Sequence, residues 1–559
     1  MRTPVLSLLF AVCCLPLSLA AAPPSDAELA RYAQGLLEQA HPDANTPGTA
    51  LLVARGDKVL YRGARGAASL QLEVPLSADH VFRIGSVTKQ FAAAAVLKLA
   101  EDGKLSLDDP LTKFVPGYPG GEKVNVRMLL NHTSGIRSYT DMPGVMEGPI
   151  QKSVTTAQLI DTFKNEKPDF AAGEGWHYNN SGYVLVGAVI EAASGMPWHA
   201  YMQKAFFAPL GMKHTGYGDE TVAVIPGHVM GYTLANDRWA VARYLSMTQP
   251  HAAGALVSTV DDLLRWNRAV HEGKVLSSDS YRSMITPVGK AQESNYGFGI
   301  SHEKLRGEEM LQHGGGIFGF SSYLLYLPQD DITVAALYNA DSGLPGGMGP
   351  ETLSRLLAAK AIGKPYPDKK AIPVAVDALK AYEGVYRINP ESARVLRVVD
   401  GKLTSQRTGS QPYTLIPVAN DVFLFEEGFS RMVFERDAAG KVSAMRFFND
   451  DEGEGEVVKR SDEPMPSERA SVTVAKPALE RLVGKYAYQG MAMTVALDGE
   501  KLTTQLAGQP AFELFAESPT KFFLKVVEAS LEFAPGDAPA ASVTLRQGGQ
   551  TLEFKRESP

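Results

Sequence analysis

Phe82-Arg83-Ile84-Gly85-Ser86-Val87-Thr88-Lys89 runs directly into Gln90-Phe91-Ala92-Ala93-Ala94-Ala95-Val96-Leu97-Lys98-Leu99. The alanine-rich apolar stretch Gln90–Leu99 reads as a buried helix, with Ser86 at its N-terminus and Lys89 one turn on. Side chains three apart on a helix share a face, so the hydroxyl and the amine can meet. A serine becomes a nucleophile only when a base takes its proton, and a lysine can be that base only if burial or positive potential destabilises its ammonium. The free N–H groups of a helix start also suit a developing oxyanion, so this one segment can supply nucleophile, base and part of an anion site.

The same Ser-x-x-Lys spacing recurs at Ser301–Lys304 and Ser518–Lys521. Standing alone, such a string is usually a solvated surface pair. Only Ser86 has a glycine before it and a long apolar helix after it, whereas Ser518 is followed by a proline. Two further elements stand out downstream. Tyr178-Asn179-Asn180 precedes an apolar helical run to Ala193; a tyrosine works as acid or base only beside cations such as Lys89, and Asn180 offers an amide donor and acceptor to a substrate. The plain alternative is an asparagine cap at a helix start. Leu311-Gln312-His313-Gly314-Gly315-Gly316 lies before a hairpin, and its glycines either let a substrate backbone approach a strand edge or mark a bulge.

Around these motifs, strand-like runs Thr49–Val53 and Lys58–Gly66 are joined by Arg55-Gly56-Asp57, and Tyr323–Leu327 and Ile332–Leu337 by Pro328-Gln329-Asp330-Asp331. Leu256–Val270 reads as a helix, with Ser258 or Thr259 as its cap. Strand pairs bracketing a helical middle predict an antiparallel sheet with helices on its faces.

Taken in order, the three motifs resemble the serine β-lactamase and penicillin-binding protein superfamily, in its class C-like branch with D-alanyl-D-alanine carboxypeptidases and esterases. Leu129-Leu130-Asn131-His132-Thr133-Ser134-Gly135 and Gly254-Ala255-Leu256-Val257-Ser258-Thr259 resemble other stretches of that family, and the likeness spans residues 30–360. It implies Ser86 as the acylated nucleophile, Lys89 as its hydrogen-bonded base, and Tyr178 as the residue that passes a proton to the leaving group and activates water. It implies Asn180, His313, Gly315 and Gly316 as substrate-binding residues, with the N–H groups of Ser86 and Gly316 as the oxyanion hole. Where β-lactamases and carboxypeptidases commonly carry Lys-Thr-Gly, this chain has His313-Gly314-Gly315. The permanent cation for a substrate carboxylate is missing, which resembles the family's esterases and D-aminopeptidases. Arg407-Thr408-Gly409 looks like the missing string but falls in a strand turn of another domain.

Beyond Lys364 the chain repeats itself. Ala378-Leu379, Gly384 and Tyr386 recur as Ala478-Leu479, Gly484 and Tyr486; Asp400-Gly401-Lys402-Leu403 recurs as Asp498-Gly499-Glu500-Lys501-Leu502; Lys459-Arg460 recurs as Lys555-Arg556. Two small antiparallel barrels follow from this, similar to the lipocalin-like barrels of family D-aminopeptidases. The expected organisation is a signal peptide (1–22), a β-lactamase-like serine hydrolase domain (23–364), and two barrel domains (365–462 and 463–559). The fold class is α/β (α+β), an antiparallel sheet flanked by helices with a helical subdomain, followed by the barrels. The acidic run Asp450–Glu456 reads as a solvated hairpin rather than a calcium loop.

The whole chain of 559 residues, 45% hydrophobic and 21% charged, is globular in composition. A net charge of -7 gives no footprint for nucleic acid. Both cysteines, Cys13 and Cys14, lie in the apolar run Val5–Leu19, which with Arg2 and Ala20-Ala21-Ala22 has the layout of a secretory signal. The expectation is therefore a secreted or periplasmic chain with no cysteine after cleavage and no later membrane segment. It needs no cofactor and no metal, acts on a small molecule or short peptide, and has barrels that could join copies into an oligomer. No Gly-x-Ser-x-Gly and no His-Glu-x-x-His is present. The rival reading is a catalytically silent penicillin-binding-like protein that recognises cell-wall peptides.

Overall fold

The computed structural model describes residues 23–559 apart from 143, 147, 149, 236, 343–347, 467–470, 489–490, 500, 507–510, 526–528, 537, 548–549 and 558–559. The expected signal segment 1–22 lies outside the described residues.

The first domain is built on a six-stranded antiparallel sheet: β1 (Thr49–Arg55), β2 (Lys58–Arg65), β3 (Ser301–Leu305), β4 (Glu308–Ile317), β5 (Phe320–Leu327) and β6 (Ile332–Tyr338), in the order β3-β4-β5-β6-β1-β2. The chain's first strand therefore pairs with its last, Thr49 opposite Tyr338 and Arg55 opposite Ile332. Alternation along β1 sends Ala50, Leu52 and Ala54 into one core and Leu51 and Val53 into another. The second core is covered by α1 (Asp26–Ala40) and α5 (Pro350–Ala361). The first core holds the helical subdomain, with α2 (Thr88–Glu101), α3 (Asn180–Ser194) and α4 (Val260–His271).

Helix α2 buries residues on every side, as its alanine-rich sequence requires of a helix inside a core. Leu256–Ser258, expected to be helical, is instead a short strand paired with Phe82-Arg83 and Gly216-Tyr217. The helix starts only after Thr259, whose hydroxyl accepts from the Asp262 N–H. An apolar run of a few residues does not by itself separate strand from helix, and here pairing with the strand before Ser86 decided it.

The two barrels follow. Residues 384–459 form eight strands in sequential order, with the ends linked by a bridge between Tyr386 and Arg460; residues 484–556 form a closed eight-stranded barrel. The repeat seen in sequence is one of structure. Tyr386 donates to the Tyr382 carbonyl and Tyr486 to the Leu482 carbonyl, while Arg460 and Arg556 each bond backbone carbonyls at the start of their own barrel.

The acidic run is a hairpin connection as expected, between the strands 442–448 and 456–459, but its first three residues are paired rather than solvated. Asp451 is almost fully buried and is bound by Arg306, on the β3–β4 turn, and by Arg431. Glu452 accepts from the Arg306 and Gly307 N–H groups, and Asp450 pairs with buried Arg355 of α5. The run is thus a docking element that fastens the first barrel to the catalytic-type domain, because basic groups of that domain neutralise it. Among the described residues no helix is long and apolar enough to cross a membrane, and no cluster of His, Cys, Asp or Glu has metal-binding geometry.

Candidate active site

Ser86 sits in a one-turn 3-10 segment, Gly85–Val87, that leads into α2. Two glycines allow this turn to press against the sheet. Gly85 has φ +50°, and a side chain there would meet the backbone of Gly316 at 3.0 Å. A Cβ on Gly315 would lie 2.1 Å from the Ile84 carbonyl oxygen and 2.3 Å from Ser322 Oγ. Ser322 Oγ donates to that same carbonyl at 2.8 Å, which ties the turn to β5.

One turn on, Lys89 is completely buried. Its Nζ lies 3.0 Å from Ser86 Oγ, 2.9 Å from Asn180 Oδ1 and 2.9 Å from the Ala253 carbonyl oxygen. Among the described residues no carboxylate pairs with it, and burial holds the Lys89 ammonium well below the usual lysine range. A neutral amine fits this cradle. Two N–H groups donate to Asn180 Oδ1 and Ala253 O, leaving the lone pair facing the Ser86 hydroxyl, which donates to it.

Asn179 is the cap of α3, its Oδ1 accepting from the Gly182 N–H, and Asn180 is the first helical residue. The cap reading therefore holds for Asn179, while Asn180 faces Lys89 and lines the cleft. Thr140 Oγ1 accepts from Asn180 Nδ2 at 3.0 Å and so turns the amide oxygen toward Lys89. The Tyr178 ring centroid stands 4.8 Å from Lys89 Nζ. Burial pushes the Tyr178 phenol above its ordinary value, partly offset by hydrogen bonding to Ser86.

His313 and Gly315 differ from expectation. His313 is buried in β4, with Nδ1–H donating to the Gly314 carbonyl at 2.6 Å and Nε2 accepting from the Tyr296 hydroxyl at 2.8 Å. Burial lowers its pKa to about 3, so the ring is neutral. It packs behind Tyr178, 6.2 Å between centroids, and is absent from the cleft wall. Gly315 serves the approach of the Ser86 turn, leaving Gly316 to line the cleft. The strand-edge glycines are thus used by the protein's own backbone, because the nucleophile turn packs where a substrate strand was expected.

The cleft holds about 290 Å3 and is lined by Ser86, Tyr139, Asn180, Gln249, Gly316 and Asp341, with apolar walls from Met146, Leu245 and Phe318. Among the described residues that line it, Asp341 is the one with a formal charge. The other Ser-x-x-Lys strings make no such pair: Ser301 and Lys304 lie along β3, and Ser518 accepts from the Thr520 and Lys521 N–H groups in a turn.

Residues 29–359 match the family model described as Beta-lactamase. The chain belongs to the Beta-lactamase family. Relatives of this Beta-lactamase-family chain include penicillin-binding protein 4* of Bacillus subtilis, 24% identical over 90% of this chain and 94% of that one. A D-aminopeptidase of Gluconobacter oxydans is 25% identical over 58% of this chain and 61% of its own length. Among solved structures, the octameric penicillin-binding protein homologue of Pyrococcus abyssi is 26% identical with a TM-score of 0.55, covering 77% of this chain and 99% of that one. The D-amino acid amidase of Ochrobactrum anthropi SV3 is 26% identical with a TM-score of 0.52, covering 59% and 98%.

The sequence reading missed several parts of this Beta-lactamase-family site. His132, in left-handed backbone at φ 64°, accepts from the Asn179 N–H through Nδ1 and packs, its ring tilted, 4.5 Å from the Tyr178 ring. With Tyr296 and Tyr183 it forms the wall that desolvates Tyr178 and Lys89. The Ala253 carbonyl and Asp341 carry no motif signal, since a backbone oxygen and a lone aspartate are visible only once the chain is folded.

Proposed function

We propose that the chain is a secreted or periplasmic serine hydrolase that cleaves amide or ester bonds through an acyl-Ser86 intermediate, with D-amino-acid amides and short D-peptides as its substrate class. One contact carries this: the Lys89 amine, buried without a counter-ion among the described residues, 3.0 Å from Ser86 Oγ. Lys89 takes the Ser86 proton as Oγ bonds to the carbonyl carbon, and the N–H groups of Ser86 and Gly316 receive the oxyanion. On collapse the carbon–nitrogen or carbon–oxygen bond breaks and the leaving group takes a proton from Tyr178, whose raised pKa keeps it a donor at neutral pH. Water then attacks the ester, losing a proton to the Tyr178 phenolate, and Lys89 returns its proton to Ser86 Oγ as the acid leaves, so that all three residues regain their starting states.

The relatives named D-aminopeptidase and D-amino acid amidase support this substrate class. So does the carboxylate of Asp341, the one formal charge among the described lining residues, which favours a substrate ammonium and disfavours a carboxylate. Secretion is supported by the apolar run and small-residue end within residues 1–22.

The test is intact mass and product release with D-phenylalanine p-nitroanilide, its N-acetyl derivative, p-nitrophenyl acetate and benzylpenicillin, with Ser86→Ala alongside. Expected are an adduct or turnover that disappears in Ser86→Ala, and the free amine preferred to its acetylated form. A folded protein that yields neither adduct nor product with any of them is the silent, peptide-recognising protein instead.

A further inference from the structure

The first barrel contains a buried cation with no carboxylate partner among the described residues. Arg394 is 7% exposed and points inward on strand Ser392–Val399, in line with core residue Leu396. Its Nη1 donates to Ser405 Oγ at 3.1 Å, its Nε has no acceptor, and no carboxylate among the described residues lies within 4.0 Å. Glu456 is near enough to act on it electrostatically but forms no ion pair. The other buried arginines are neutralised, Arg83 by Glu220 and Arg355 by Glu303, Glu351 and Asp450. Leaving a buried charge uncompensated is costly, and proteins normally pair it.

Around Arg394 the surroundings add positive charge rather than remove it. Arg407 stands directly opposite on the neighbouring strand, on the same face, and is exposed at the barrel's end. Like charges opposite each other destabilise a sheet. Phe447 and Phe425 face the guanidinium at 4.4 and 5.7 Å. Burial and the Arg407 charge together bring the Arg394 pKa down to about 10, so the group keeps its charge.

The second barrel shows what the architecture alone requires here. Tyr386 is opposite Arg394, and its counterpart Tyr486 is opposite Met493. By the same registers Arg407 corresponds to Leu506, Tyr413 to Phe512 and Ser405 to Thr504. Met493 and Leu506 belong to an ordinary apolar core. The fold thus closes with apolar residues at these positions, and the two arginines and the tyrosine are additions specific to the first barrel.

We propose that this end of the first barrel binds a small organic carboxylate, its anion held by Arg394 and Arg407 and its apolar body against Phe425 and Phe447. A guanidinium pairs with a carboxylate through two parallel hydrogen bonds, and the interior of an eight-stranded barrel is either filled by side chains or holds one small ligand. The site is separate from the Ser86 cleft, so it holds or fails independently of the hydrolase reading.

Titration calorimetry of the full chain with decanoate, decanol and inorganic phosphate tests it, alongside Arg394→Met and Arg407→Leu. Saturable decanoate binding is expected, weakened at least tenfold in Arg394→Met and lost on replacing decanoate by decanol. Arg394→Met is also expected to melt no lower than the parent, since Met493 occupies the equivalent place; if it misfolds, Arg407→Leu reads the same contact at the rim. Equal binding of decanol, unchanged decanoate affinity in both variants, binding of phosphate alone, or no binding would each overturn the proposal. Dependence on Arg394 separates this site from decanoate lodged in the Ser86 cleft.

Discussion

Lys89 is where a single residue's surroundings determine chemistry. With its ammonium destabilised by burial, the ascending limb of kcat/KM against pH is expected well below the 10.5 of a free lysine, as the amine deprotonates. A limb near the free-lysine value would remove Lys89 as the base. The same depression has a stability consequence of definite sign. Between the folded pKa and 10.5 the unfolded chain binds the extra proton, so stability rises with pH across that window and falls as pH drops through it. Lys89→Met abolishes this dependence and lowers kcat by about 10²- to 10⁴-fold, the usual contribution of a positioned base; denaturant titration at several pH values and steady-state kinetics check the two halves. The Ser86–Lys89 pairing was legible in sequence because both residues lie on one helical turn. His313 was legible as a site neighbour but not as a buried one, since only packing shows that both its nitrogens are bonded internally.

At the scale of elements, the site depends on how closely the Ser86 turn approaches β4. Gly315→Ala places a methyl group against the Ile84 carbonyl and Ser322 Oγ, neither of which can yield without moving the turn. It is expected to cost about 1–3 kcal/mol and to reduce acylation. A Cβ on Gly316 meets nothing within 4 Å, so Gly316→Ala leaves thermal stability unchanged while narrowing the cleft mouth. Melting curves and acylation rates of the two variants, taken together, distinguish these effects; equal destabilisation would contradict the packing described. Neighbouring glycines look alike in sequence and differ only in what faces them. For the same reason the strand at Leu256–Ser258 escaped the helical reading, since its partners lie far away along the chain.

Across the whole molecule, the first barrel is fastened by Asp450, Asp451 and Glu452 to Arg355 and Arg306. Arg306 sits on the β3–β4 turn, at the opposite end of β4 from Gly316. The latch is thus remote from the cleft. Asp451→Ala combined with Glu452→Ala is expected to separate the melting of the barrel from that of the catalytic-type domain and to expose residues 364–375 to limited proteolysis, while the acylation rate stays within about twofold. Because Asp451 is buried, moderate salt should not reproduce the effect. Calorimetry showing one unchanged transition would mean that apolar contacts such as Tyr366 on Phe429 hold the domains by themselves.

By itself the sequence determined what is local or periodic: the nucleophile and its base on one turn, the hairpins, and the doubling of the barrels. These follow from spacings along the chain, which the backbone converts directly into shared faces. Tertiary structure decided what depends on residues far apart meeting: the Ala253 carbonyl and Asn180 amide around Lys89, the close packing of Gly315 on the Ser86 turn, and the use of an acidic hairpin as a latch. A charge or a polar atom has no fixed meaning until its neighbours establish whether it is solvated, paired or stranded. Arg394 and Met493 demonstrate this, since they hold one position in two copies of the same barrel and only their surroundings show that one of them is a charge without a carboxylate partner among the described residues.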